Sequence, residues 1–150
     1  MMLKWDTVPF AALNAYEFHA IIQLRIAIFV VEQNCPYQEL DGKDIDAFHI
    51  LGKDNDMLIA TARILKKGVS YPEWSIGRVV VAETHRENKV GYELMNHAIR
   101  FIHNIEPNAA IRISAQSHLE AFYMQFGFVS TGKKYDEDGI PHVEMLGEFN

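Results

Sequence analysis

Ile76-Gly-Arg-Val-Val-Val-Ala-Glu-Thr-His-Arg-Glu-Asn-Lys-Val-Gly91 is the stretch that decides how this chain folds. A β-branched run feeds a short polar loop that starts basic and ends on glycine. Beyond it Val90, Leu94, Met95, Ala98, Ile99 and Ile102 recur at helical spacing. A strand followed by a loop and an amphipathic helix aims the helix's first N–H groups past the strand end. Those donors and the helix dipole favour a phosphate. Arg86 and Lys89 add positive charge, and Gly91 lets a ligand approach the backbone closely. The loop is neither a Walker loop, which needs Gly-Lys-Ser/Thr, nor Gly-x-Gly-x-x-Gly.

Working outward, Asn14-Ala-Tyr-Glu17 has capping-box spacing, so a helix starts there. Phe18, Ile21, Ile22, Ile28 and Phe29 give it one apolar face, and Asn34-Cys35-Pro36 ends it. Residues 36–46 read as a polar loop. Phe48–Lys53 and Leu58–Lys66 read as a hairpin turning at Asp54-Asn-Asp56. Ala110–Ala115 is a strand, Ser117–Phe126 a short helix, and Phe128–Lys133 with His142–Gly147 a closing pair. The order is helix, three strands, helix, strand, helix, two strands. That is an α/β layered fold with a mixed, mostly antiparallel sheet. The strands flanking the Val90 helix are expected to be parallel neighbours.

The 150 residues carry a formal net charge of −6, which argues against a nucleic-acid binder. No repeat or linker breaks the chain, so 1–150 reads as a single domain. The one cysteine, Cys35, rules out an intramolecular disulfide and suits a reducing compartment. The longest apolar run, Ile26–Val31, is too short to span a membrane. The expectation is a cytoplasmic protein with no membrane partner.

A second signal is Gln116-Ser-His-Leu-Glu-Ala-Phe-Tyr-Met-Gln-Phe-Gly-Phe128. A tyrosine on a short helix after a strand can exchange a proton with a leaving group. The competing reading is a packed aromatic core. Together the two signals resemble the GNAT acyltransferases. Arg86–Gly91 is similar to their pyrophosphate loop, Arg/Gln-x-x-Gly-x-Gly/Ala, with Lys89 in place of the middle glycine. Gln116–Phe128 resembles their Asn-x-x-Ala-x-x-x-Tyr-x-x-x-Gly-Phe segment, with Gln for Asn. Phe29–Tyr37, Asp41-Gly42 and Asp138–His142 resemble the ElaA-like branch.

The resemblance implies a GNAT-like sheet flanked by helices on both faces, and acetyl-CoA as co-substrate without a metal. It implies that Val79, Val80 and Val81 bond the pantetheine arm. Arg86, Glu87, Asn88, Lys89, Val90, Gly91 and Tyr92 would cradle the pyrophosphate. Gln116 would reach the arm, Phe122 would pack near it, and Tyr123 would protonate the departing thiolate. The acceptor is an amine of a small molecule or peptide. A non-catalytic CoA-binding or sensing module is the alternative. A homodimer is compatible with the sequence, which does not fix the oligomeric state.

Many relatives place a glutamate on the pantetheine strand, but here Arg78 occupies mid-strand and Glu73 lies too early. Glu32, His49, Glu137 and His142 are candidate bases by residue type, and Glu32 and His142 lead. Arg63 and Arg78 each interrupt an apolar strand. Like charges on one sheet face repel unless an anion lies between them. They are expected to line the acceptor pocket and hold an acidic group of the substrate or a protein carboxylate, unless they snorkel to solvent. Cys35 has no sequence-local partner to activate it. His97 and His103 are spaced to face different sides of a helix, and Asp136–Gly139 fails the calcium-loop pattern at Pro141 and Gly147.

Overall fold

The computed structural model describes residues 2–150. The expected mostly antiparallel sheet is present as two antiparallel sheets. β1 (Leu3–Pro9), β2 (Ala47–Asp54), β3 (Met57–Leu65) and β4 (Ser75–Val81) lie in sequence order. The second sheet has the order β5 (Ile111–Gln116), β7 (Ile140–Gly147), β6 (Phe128–Glu137). Among the described residues the one backbone bridge between the two is parallel, between Trp74 and Ile111, where Arg112 N–H donates to Trp74 O at 2.9 Å. The strands flanking the long helix are thus parallel neighbours at one end and part beyond it.

β1 was not expected. Leu3 and Trp5 alternate with Lys4 and Asp6, which is a half-buried edge pattern. Trp5 lies across Gly52, where a side chain would meet its ring, and stacks on His97 at 5.0 Å. β6 runs past the expected stop at Lys133 to Glu137, through an irregularity around Gly132, whose φ is 91°.

Helices cover both faces of the first sheet. α2 (Val90–Ile105) buries Val90, Leu94, Met95, Ala98 and Ile102, the periodic stripe read from the sequence. These pack on Ile50, Ala62, Ile64 and Ile76 of β2–β4 and on Ile113, Val143 and Met145 of the second sheet, so one core joins both sheets. Each fully buried aliphatic contributes about 1.5–3 kcal/mol. α1 (Ala15–Ile26) starts at the Asn14 capping box: Glu17 N–H donates to the Asn14 side chain and Asn14 N–H to the Glu17 carboxylate. It then widens into π-helical turns over Ala27–Glu32. Such turns recur at functional sites. Among the described residues no helix is long and apolar enough to cross a membrane.

Only Ile21 and Arg25 of α1 are fully buried, so the expected apolar face is narrower than its sequence suggests. Arg25 is 1% exposed. Its guanidinium bonds Glu39 and, at 2.8 and 3.2 Å, both oxygens of Asp44. That network ties α1 to the 36–46 loop. Removing one partner of a buried pair strands the other's charge. Arg25→Met is expected to cost about 3–5 kcal/mol of unfolding free energy in urea titrations. A loss below about 1 kcal/mol would show that Glu39 and Asp44 find other partners or water.

Candidate active site

Beyond the Trp74 bridge, β4 and β5 diverge around a cavity of ≈ 640 Å³. Among the described residues each strand has a ladder partner on one side only, β3 for β4 and β7 for β5. Two strand edges with unpaired backbone groups therefore face each other across the cleft. An extended ligand carrying amides can add to such an edge as a strand would. Val79, Val80 and Val81 line the cavity there.

β4 is bulged at this point. Gly77 pairs with Arg63 and Val80 with Thr61, so Arg78 and Val79 together oppose Ala62. Arg78 has a φ of 51°, uncommon for a residue with a side chain. Its guanidinium bonds Glu39 at 3.0 Å, the Glu39 carbonyl at 3.2 Å and Asp41 at 3.4 Å, and lies 5.7 Å from the Tyr37 ring centre. Arg63, 5% exposed, meets Asp41 through two bonds of 2.8 and 2.7 Å and Asp44 at 3.2 Å. Arg63 and Arg78 share one region of the cavity wall, and the carboxylates between them belong to the protein. Burial pushes the Asp41 carboxyl up, but the Arg63 bonds, the Lys43 N–H and Arg78 hold it well below the usual range.

Tyr123 stands on α3 (Glu120–Met124), entered through a tight turn at Ser117–Leu119. It is 8% exposed and lines the cavity. Phe122 and Phe128 pack edge-on against its ring. Burial pushes its phenol up to about 12. Among the described residues its hydroxyl has no hydrogen-bond partner, so the cavity faces a protonated, uncommitted donor. Gln116 also lines the cavity, and its amide pairs with that of Gln33 at 3.3 Å.

Asn88 and Lys89 lead into α2 with φ of 62° and 58°. Lys89 is the N-cap, with no side-chain cap. The N–H groups of Val90, Gly91 and Tyr92 have no acceptor among the described residues, while Glu93 N–H closes the first turn on Lys89 O at 3.0 Å. Arg86 lines the cavity end nearest this terminus; Glu87 to Tyr92 and Phe122 lie outside its lining. The missing Cβ of Gly91 faces Phe122 at 3.6 Å and Val81 at 3.9 Å. The Tyr92 ring packs on Phe126 at 5.0 Å.

The candidate bases are all engaged. His142 lines the cavity with Nδ1 2.7 Å from Ile140 O and Nε2 3.3 Å from the Glu137 carboxylate. Both ring nitrogens face acceptors, and a neutral imidazole has one N–H for the two. Glu32 lines the cavity and is paired with Arg86. His49 is fully buried away from the cavity, Nε2 at 2.9 Å from Asp44 O, and burial pushes its pKa down. Glu73 pairs with Arg112 at 2.9 Å instead of reaching the cleft. Cys35 lines the cavity with Sγ 3.2 Å from Asp138 O.

Several cavity residues escaped the sequence reading. Tyr37, Asp41 and Lys43 lay in a stretch read as a loop, where Tyr37 and Asp41 served as marks of the resemblance and were given no place in the site. Three loop carboxylates, Glu39, Asp41 and Asp44, set against three arginines on apolar elements were the available signal. Ser114 and Tyr71 line the cavity too, and Tyr135 bonds Ser114 from behind. The Tyr71 phenol is pushed up to about 12, by burial first and then by Tyr135. Among the described residues no cluster of His, Cys, Asp and Glu could hold a metal ion.

The family model described as "Acetyltransferase (GNAT) domain" matches residues 23–149. Protein ElaA of Escherichia coli is 44% identical over 98% of this chain and 97% of its own length. The crystal structure of E. coli ElaA superposes with a TM-score of 0.91 over 98% of this chain and 100% of that one. An acyl-CoA N-acyltransferase from Pseudomonas aeruginosa, 37% identical, superposes with a TM-score of 0.92 over 97% and 99%. A cleft between parted strands, and this likeness over nearly the whole length, lead to one conclusion: the chain belongs to the GNAT acetyltransferase family, in its ElaA-like branch.

Proposed function

We propose that the protein transfers an acetyl group from acetyl-CoA to an amine of a small molecule or peptide. The observation that carries this reading is Tyr123, a buried neutral phenol with a free hydroxyl in the cleft between two unpaired strand edges. The likeness to an acyl-CoA N-acyltransferase supports it. The residues fit the co-substrate. The edge of β4 at Val79–Val81 offers backbone bonds to an amide-bearing arm, and Gln116 faces the same channel. The open N–H groups of Val90, Gly91 and Tyr92, with Arg86 and Lys89, suit a diphosphate. Acetyl-CoA brings an activated carbonyl whose C–S bond breaks as the C–N bond forms.

The chain's own groups then have defined tasks. An N–H near the Arg78–Val79 bulge polarises the carbonyl oxygen as negative charge grows there. Tyr123 gives its proton to the leaving sulfur. The attacking nitrogen must be neutral, and a simple ammonium has a pKa of ~10. His142 accepts the amine's proton only after Nε2 leaves Glu137; water is the other exit. Arg63 and Arg78 define the acceptor end together with Asp41.

Thiol release from acetyl-CoA with an amine panel tests the reading. Tyr123→Phe is expected to lower kcat about 10²–10⁴-fold with little change in the Kd for CoA. CoA binding without thiol release on any amine, and no effect of Tyr123→Phe, would favour a CoA-sensing module. With its phenol at about 12, Tyr123 stays protonated through pH ~10. The rate is therefore expected to hold or climb between about pH 7 and 10 as the acceptor amine deprotonates. An alkaline fall in that window that vanishes in Tyr123→Phe would contradict the role. Lys89→Ala is expected to weaken CoA binding, and by more as salt is lowered and screening fades. A salt-independent effect in calorimetric titrations would make Lys89 a bystander.

A further inference from the structure

The end of the π-helical segment crosses the mouth of the cleft and grips both walls. Glu32 takes Arg86, at the end of the β4 wall, through two contacts of 2.9 Å to the same nitrogen. Arg86 is braced in turn by its Nε bond to Val81 O at 3.2 Å. The next residue, Gln33, exchanges amide bonds of 3.3 Å with Gln116 on the β5 wall. Two residues on, Cys35 Sγ meets Asp138 O in the β6–β7 turn at 3.2 Å. Glu32, Gln33 and Cys35 all line the cavity. Their backbone stays bonded within the wide turn, Gln33 N–H to Ile28 O at 3.1 Å and Cys35 N–H to Val30 O at 3.0 Å, so the segment is a formed strap.

We propose that Glu32 and Gln33 form a clasp that an entering co-substrate must open, with Glu32 holding Arg86 as a phosphate would. This rests on the acetyl-CoA reading above. Arg86 is the basic side chain of this loop that lines the cavity, and a carboxylate already occupies it. A diphosphate offers Arg86 the same charge-assisted bonds and adds the open N–H groups of α2, which Glu32 does not reach. The pair is weak enough to yield: its side chains are 38% and 42% exposed, and exposed ion pairs contribute little. The Gln33–Gln116 pair contributes on the other wall, because Gln116 must release Gln33 before it bonds an arm in the channel. Glu32 is thus a competitor held at the cofactor site, and the fraction of molecules with an open clasp scales the apparent affinity.

The test compares wild type with Glu32→Gln, Gln33→Ala and the double variant, using CoA as the probe. Backbone hydrogen exchange over residues 27–34 is expected to rise in the variants while their melting stays cooperative. CoA is expected to bind the double variant about 3–10-fold more tightly, mainly through a faster on-rate. Unchanged exchange would overturn the clasp, because nothing would then be held. Weaker CoA binding in Glu32→Gln would overturn it as well, by making Glu32 a partner that orients Arg86 for the phosphate. If neither wild type nor variants bind CoA, the acetyl-CoA reading falls and the clasp with it. If wild type binds and the variants gain nothing, the clasp alone falls.

Discussion

One backbone contact, between Trp74 and Ile111, is where the two sheets of this protein are joined edge to edge. Had the pairing continued, β4 and β5 would have satisfied each other's backbone groups and left no cleft. Two features keep them apart. The bulge at Arg78 and Val79 breaks the run of β4, and Leu119 and Tyr123, brought by the turn after β5, stand in the gap. The shared core beneath, from Ile50 to Met145, fixes the two sheets so that the gap cannot simply collapse. Unpaired N–H and C=O groups in a half-enclosed cleft are costly unless water or a ligand takes them. The site is therefore a consequence of the topology, and the side chains tune it.

The bulge itself needs support. A residue with a Cβ held in the left-handed region costs about 1–2 kcal/mol, and Arg78 sits there instead of glycine. Its guanidinium returns that cost through Glu39, Asp41 and the Tyr37 ring. The same carboxylates serve Arg25 and Arg63, so three arginines and three acids, Glu39, Asp41 and Asp44, cancel in charge. The network thus couples α1, the 36–46 loop and the bulge. A shift in any of them moves the backbone expected to meet the thioester.

Local signals were legible and distant ones were not. The Asn14 cap, the α2 stripe and the turn glycines Gly127 and Gly139 depend on neighbours a few residues away, and each reads directly from the chain. β1 alternates clearly at Leu3–Asp6, but its strand identity comes from pairing with β2 some fifty residues later. The 36–46 loop was correctly polar; its counterions sit on α1, β3 and β4, at separations that sequence spacing does not encode. β6 was expected to end at Lys133, whereas in the sheet the strand passes an irregularity between Ser130 and Lys134 and runs on to Glu137. In the candidate site, the cavity-lining valines, Gln116 and Tyr123 followed from motif and strand. The engagement of every candidate base did not, since each partner is remote or lies across a turn.

That engagement bears on how proton transfer can work here. Arg86, Arg63, Arg78, Glu32, Asp41 and His142 are each already paired. Tyr123, by contrast, is neutral and has no hydrogen-bond partner among the described residues. In such a site the strong interactions hold backbone geometry, and a neutral phenol without a partner is well placed to move a proton. Under the proposed acetyl transfer, deprotonation of the acceptor would need either water in the cleft or the rearrangement of one weak contact. The pairing of His142 with Glu137, at 3.3 Å, ends on a carboxylate that is half exposed. Under the proposed reaction an arriving ammonium could displace this contact, because Glu137 would exchange an imidazole for a full positive charge. An acceptor that drew Glu137 to itself would leave the imidazole proton to sit on Nδ1 toward Ile140 O, and Nε2 of His142 would then have its lone pair free to act as the base.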